Sequence, residues 1–191
     1  MHPRVLIIPA LALGVAASAL AAQETYVIDP THTTPMFEVT HLGISQQRGF
    51  FTNATGKIML DRAARSGSID ITIGTGSVLT ASRVLTDVLK REDYFNAEKF
   101  PVMTYSSRDL AFDGDVPVGA NGELTLLGVT RPVALKISSF KCGTHPYNRR
   151  AMCGADASTT IKRSEFGMTA GIPMAASDEV RLTIPVEAIR E

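Results

Sequence analysis

The 191-residue chain has no tryptophan, two cysteines, four histidines and only six per cent aromatic residues. So few aromatic rings offer no stacking platform for nucleobases. Charge of either sign is not in excess: 19 basic residues face 19 acidic ones. Removal of Arg4 with an N-terminal leader leaves 18 against 19. That balance gives no electrostatic ground for a nucleic-acid partner or an anionic membrane surface. Catalytic signatures are missing as well. There is no Gly-x-Ser-x-Gly elbow, no His-Glu-x-x-His and no phosphate-binding loop. Gly74-Thr75-Gly76 lacks the third glycine of a dinucleotide fingerprint. Ser138-Ser139-Phe140-Lys141 matches Ser-x-x-Lys, but it reads as strand and its companion motifs are absent. His32, His41 and His145 lie far apart without ligand spacing. The expectation is a protein that is not an enzyme, with no metal and no required cofactor.

What the chain does have begins with a leader. Met1-His2-Pro3-Arg4 is a short basic start, and Val5 to Ala17 is an uncharged apolar run. Ala19-Leu20-Ala21 places small residues ahead of a cut before Ala22, and a cut before Gln23 fits nearly as well. Residues 1–22 therefore read as a cleaved secretory signal peptide, and 23–191 as one exported, periplasmic domain. No cysteine follows the cut to carry a lipid anchor. No later segment is long and apolar enough for stable membrane insertion.

Strand periodicity fills the rest. Phe37, Val39 and His41 alternate with Glu38 and Thr40, and Ile58 and Leu60 with Lys57, Met59 and Asp61. Ile69, Ile71 and Ile73 repeat the pattern, as do Val133, Leu135 and Ile137. Val180, Leu182, Ile184 and Val186 complete it. Period-two alternation in many short segments marks an antiparallel all-β domain with one buried face. Ala63–Gly67 and Asp109–Val116 read as turns. One segment differs: Leu85, Val88 and Leu89 are spaced for a helix over Ser82–Arg91, with Ser82 as N-cap. Cys142 and Cys153 flank a predicted hairpin loop, Gly143 to Met152. In an oxidising compartment they are expected to form a disulfide. The rival, a metal held by Cys142, His145 and Cys153, is one ligand short of a structural zinc site.

Four ordered segments carry a family resemblance. Asp29-Pro30-Thr31-His32-Thr33-Thr34 is followed by Phe37-Glu38-Val39-Thr40-His41-Leu42-Gly43. Gly122 to Val133 forms a hairpin around Leu127-Gly128, and Arg163-Ser164-Glu165-Phe166-Gly167-Met168 comes near the end. From about Tyr26 to Ile189 the chain resembles the YceI-like family of secreted bacterial lipid-binding proteins. The resemblance implies an extended, lipocalin-like antiparallel barrel of about eight strands with one main helix. It implies an apolar channel that holds a long-chain isoprenoid lipid, with a quinone or a prenyl phosphate as candidate bound molecules. Phe37, Val39, Ile58, Leu60, Ile71, Ile73, Leu124, Leu126, Leu135, Ile137, Leu182 and Ile184 would supply the wall. His41 shares the face of Phe37 and Val39, while Phe95, Phe100 and Tyr105 would close the channel near the helix. Ordinary core packing explains the same side chains. Turn chemistry likewise explains Asp29, Thr31 and His32.

Two positions depart from the family pattern. Leu85-Thr86-Asp87-Val88-Leu89 stands where relatives often show Arg-Asp-x-His-Leu, and Leu127 stands where they often show His. If those polar groups touch a head group in relatives, this chain lacks the contact. The sequence leaves open a role in presenting quinone to an electron-transfer partner, a β-domain with a filled core, and a homodimer.

Overall fold

The computed structural model describes residues 23–191, so the signal-peptide reading of residues 1–22 lies outside the described residues. Eleven strands are present: β1 (Glu24–Ile28), β2 (Met36–His41), β3 (Ser45–Phe51), β4 (Ala54–Asp61), β5 (Ser66–Gly74), β6 (Val78–Thr80), β7 (Val102–Asp113), β8 (Val116–Leu126), β9 (Val129–Thr144), β10 (Ala151–Lys162) and β11 (Ala176–Arg190). Eight of them, in the order β1-β4-β5-β7-β8-β9-β10-β11, close into an antiparallel barrel when β11 pairs back with β1. β2, β3 and β6 extend the sheet from the first half of β11. The expected barrel of about eight strands is present, with this three-stranded flap added at one end.

β11 makes both arrangements possible. On one side it pairs with β10 from Glu179 to Ile189. On the other it pairs with β2 up to Thr183 and with β1 from Ala188. Thr33 bridges the gap: its fully buried hydroxyl donates to the Glu187 carbonyl and accepts from the Glu187 N–H, both at 3.1 Å. Pro185 sits in this gap, with the same facing as Glu187, so its missing N–H deprives no neighbouring strand of a bond.

The single α-helix among the described residues, α1 (Arg83–Leu89), begins where the sequence places it. The Ser82 side chain accepts the Leu85 N–H at 3.3 Å, which satisfies one of the free donors of the first turn. The turn expected over Asp109–Val116 is shorter than that, because β7 continues to Asp113 and only Gly114-Asp115 turns. A bulge between Ser107 and Asp109 resets the phase, so Met103 and Tyr105 and then Leu110 all face inward. The sequence shows a break in alternation there, which mimics a turn.

The turns Arg62–Arg65, Gly114–Asp115 and His145–Arg150 share the end opposite to the helix, joined by an Arg62–Asp115 ion pair. Tyr26, Ile28, Leu60, Cys153 and Ala188 pack as an apolar plug at this end. Cys142 and Cys153 are paired across β9 and β10 and form the expected disulfide.

Asp29 and His32 form the expected turn. Asp29 Oδ1 accepts from the Thr31 N–H and hydroxyl, and Asp29 Oδ2 lies 2.7 Å from His32 Nδ1. The bond to His32 and those from Thr31 lower the Asp29 carboxyl to about 2, and the Asp29 carboxylate raises His32 above its ordinary 6.5.

Two outcomes follow from this frame. Replacing both cysteines by alanine removes a short closed loop already held by the β9–β10 ladder. The cost should be about 3 kcal/mol or less in chemical denaturation, with the barrel retained. In a proton NMR titration, His32 should titrate above 6.5. The signs fix the window for the Asp29–His32 tie. The contribution of His32 is complete below 6.5 and fades as pH rises through its higher folded value. The contribution of Asp29 is complete above the ordinary carboxylate value of 3.8 and is lost as pH falls towards 2.

Candidate ligand cavity

Inward side chains do not fill the barrel. A cavity of about 600 Å³ runs through it. On β11 its wall extends from Ala176 to Ala188. At ~3.3 Å per residue and an ordinary barrel tilt of ~40°, that span is roughly 30 Å along the axis. Val133, Leu135, Ile137, Leu182, Ile184 and Val186 point inward yet stay only half-buried, because they border a hollow.

Side-chain size explains the hollow. β10 turns Cys153, Ala155, Ala157 and Thr159 inward before Ile161. This row of short side chains faces branched aliphatics from β4, β5, β9 and β11 and leaves the space between them open. On the opposite wall Tyr105 lies across Gly122, where an added Cβ would come within 2.6 Å of its hydroxyl. The Tyr105 hydroxyl donates to the carbonyls of Ala120 at 3.2 Å and Val133 at 3.1 Å. Burial pushes its pKa to about 12, so it is a neutral wall residue at any physiological pH.

Of the side chains expected from the sequence, Phe37, Val39, His41, Ile58, Leu60, Ile71, Ile73, Phe95, Tyr105, Leu124, Leu126, Leu135, Ile137, Leu182 and Ile184 line the cavity. Phe100 does not. Its ring covers the β8–β9 turn at Gly128, and Lys99 Nζ lies 5.4 Å from its centroid. Phe95 is central instead, packed edge-on against Phe51 at 5.3 Å and Phe37 at 6.2 Å. Sequence reasoning missed the β10 row. Cys-Gly-Ala-Asp-Ala-Ser-Thr-Thr has too little contrast in size and polarity for its alternation to show.

The cavity opens at one end. Its exposed lining residues are Met36, His41, Arg48 and Ser82, all on β2, β3 or at the start of α1. At the far end Tyr26, Pro117, Cys153 and Ala188 are buried. No aspartate or glutamate lines the cavity, and its charged residues, Arg48 and Arg163, belong to the open end. Arg48 pairs with Glu38. Arg163 is buried and donates to the backbone carbonyls of Ser177 at 3.0 Å, Met168 at 3.2 Å and Ala176 at 3.3 Å. Loss of hydration lowers its pKa. It fastens the segment between β10 and β11 that forms part of the rim.

Glu187 is distant in sequence from Asp29 and His32, but one ligand atom from each of the three falls within 4.8 Å of the others. They lie by the β1–β2 connection, and the bonds within the Asp29 turn already account for His32 Nδ1 and both Asp29 oxygens.

The YceI-like domain model matches residues 26–188. The chain belongs to the YceI-like family. A UPF0312 protein of Pectobacterium atrosepticum is 35% identical over 181 residues, covering 94% of this chain and 92% of that protein. Among solved structures, BcnA of Burkholderia cenocepacia superposes with a TM-score of 0.70 at 22% identity, covering 84% of this chain and 99% of that one. A polyisoprenoid binding domain from Saccharophagus degradans gives 0.64 at 18% identity, covering 87% and 98%. At these identities the structural likeness is one of fold.

Replacing Arg163 by methionine keeps its bulk and removes its donors. The three carbonyls then lose their protein partner, and the variant should lose about 3 kcal/mol of stability in urea denaturation.

Proposed function

We propose that this protein binds and carries a long isoprenoid-tailed amphiphile in the periplasm. The observation that carries the reading is the cavity: long, apolar over most of its wall and charged only near its mouth. A methyl-branched hydrocarbon suits such a wall because every methylene withdrawn from water is worth about 0.8 kcal/mol, summed along the tail. The head group then rests among His41, Gln47, Arg48 and Ser82. A prenyl phosphate or a quinone fits there, since those groups supply donors and the carboxylate beside them, Glu38, is already paired with Arg48. The polyisoprenoid named for the Saccharophagus degradans domain agrees in tail chemistry. The open interior favours a carrier over a β-domain with a filled core.

The test is to fill the hollow. Ala155 and Ala157 face open space, so Ala155→Phe together with Ala157→Phe occupies the tail's path. In a close-packed core such changes cost roughly 1–3 kcal/mol each, and in a hollow they should cost less. Mass spectrometry of organic extracts should find a long apolar molecule with the parent protein and none with the filled variant, both remaining folded. A parent that carries no lipid and takes up no prenol when incubated with it would refute the reading. Leu124, by contrast, is packed in the main core cluster, so Leu124→Phe should destabilise whether or not lipid binds.

A further inference from the structure

The two ends of the barrel differ in surface chemistry. The closed end is dense in charge: Asp61, Arg62, Arg65, Asp113, Asp115, Arg149 and Arg150 sit on its turns. At the open end, residues 39–47 and 167–177 contain no aspartate, glutamate, lysine or arginine. Charged residues form 20% of the chain, so two such stretches meeting at one rim are notable. They do meet: His41 pairs with Ala176, and the Leu42 N–H donates to the Ala175 carbonyl at 3.0 Å.

What replaces charge is exposed hydrocarbon. Ile44 is 84% exposed, Met174 81%, and Leu42 54%. Val84, at the start of α1, is 74% exposed. Because β6 pairs with β3 and runs to Thr80 opposite Gly49, the chain enters α1 heading towards the same rim, and Ser82 lines the cavity together with Gln47 and Arg48. Leu42 also holds a left-handed conformation, φ 54°, ahead of Gly43 at 68°. Asparagine or aspartate occupies that turn position at less steric cost. Charge returns on Arg48, which is paired with Glu38, on Arg83 and Asp87 of α1, and on residues 90–99, which cover the neighbouring part of this end.

We propose that this rim docks the protein, mouth first, on the surface of a lipid bilayer. Leu42, Ile44, Met174 and Val84 enter the interfacial region, and the cavity opens onto the membrane. The occupant follows from continuity. The same rim borders the entrance of the apolar cavity, and a tail that enters it otherwise crosses water, so the proposal rests on the lipid-carrier reading. A second copy seated on the rim would seal that entrance. The two stretches that carry Leu42, Ile44 and Met174 have no formal charge, and Arg48 beside them is paired with Glu38, so docking proceeds by apolar insertion and its affinity depends little on opposite charge in the lipid.

Flotation with phosphatidylcholine vesicles tests docking without any bound lipid. The parent protein should float with the vesicles, and added salt should not release it. Ile44→Asp with Met174→Asp should weaken association at least tenfold, and the milder pair Ile44→Ser with Met174→Ser should weaken it in the same direction. Tyr147, 91% exposed on the opposite end, supplies the control: Tyr147→Asp should float like the parent. A parent that stays unbound overturns the proposal, as does a rim variant that floats equally well or a loss of equal size from Tyr147→Asp. Sedimentation velocity showing a dimer that the rim substitutions split, with no vesicle binding, assigns the rim to a second copy and also overturns it. Binding of prenol dispersed in detergent is measured separately. If it persists in the rim variants, the carrier reading stands whatever happens to docking; if the parent lacks it, that reading fails while flotation still decides the docking.

Discussion

The fold depends on one strand having two successive partners on the same edge. β11 is held by β10 along most of its length, but its other edge serves first β2 and then β1. Where β1 pairs, the ring is complete and its interior is plugged by Tyr26, Ile28 and Leu60. Where β2 pairs, the sheet continues into β3 and β6 instead. A closed end and an open end therefore follow from the same switch. Thr33 stabilises the switch by meeting both backbone groups of Glu187: it shares the carbonyl with the Asp29 N–H and gives the Glu187 N–H an acceptor in the gap. Pro185 is compatible with it for the converse reason, having no N–H to leave unpaired.

A hollow barrel sacrifices dispersion contacts that a filled one would make. The compensation is localised. One plug closes the far end around Cys153 and Ala188, and a larger cluster joins Phe51, Val78, Phe95, Phe166 and Met168 beneath the helix. Between these two regions the wall is one residue thick and is held by the strand ladder. A ligand that fills the hollow restores contacts on the inner face of every strand. It also stabilises the folded state by mass action, since the unfolded chain offers no such site.

Much of this was legible in the sequence, and the reasons are specific. Ile69, Ile71 and Ile73 alternate with polar residues because one face of β5 meets the cavity and the other meets water. That contrast fixed the strand class, and Ser82 fixed the start of the helix. The bulge in β7 hid the continuation from Ser107 to Asp113, because an extra residue breaks the period without ending the ladder. The β10 row stayed invisible for a different reason. Alanine, glycine, serine and threonine differ too little in hydrophobicity to reveal a face, although their small size is what creates the space. Phe100 was assigned inward from its place beside the helix, but chain direction at Pro101 carries its ring to the β8–β9 turn.

The same limits explain why the mouth could not be read in advance. Alternation reports that a face is buried, and a packed core and a lined cavity satisfy it equally. The discriminating quantity is the sum of inward volumes around the ring, and that requires knowing which strands oppose one another. Once β10 is known to face β4 and β5 across the barrel, Ala155 and Ala157 change meaning. They cease to be weak strand formers and become the residues that set the bore. The charge-free rim depends on long-range pairing in the same way. Residues 39–47 and 167–177 are ordinary polar and apolar turns when taken singly. The register of β2 on β11 joins them into one edge around the cavity entrance.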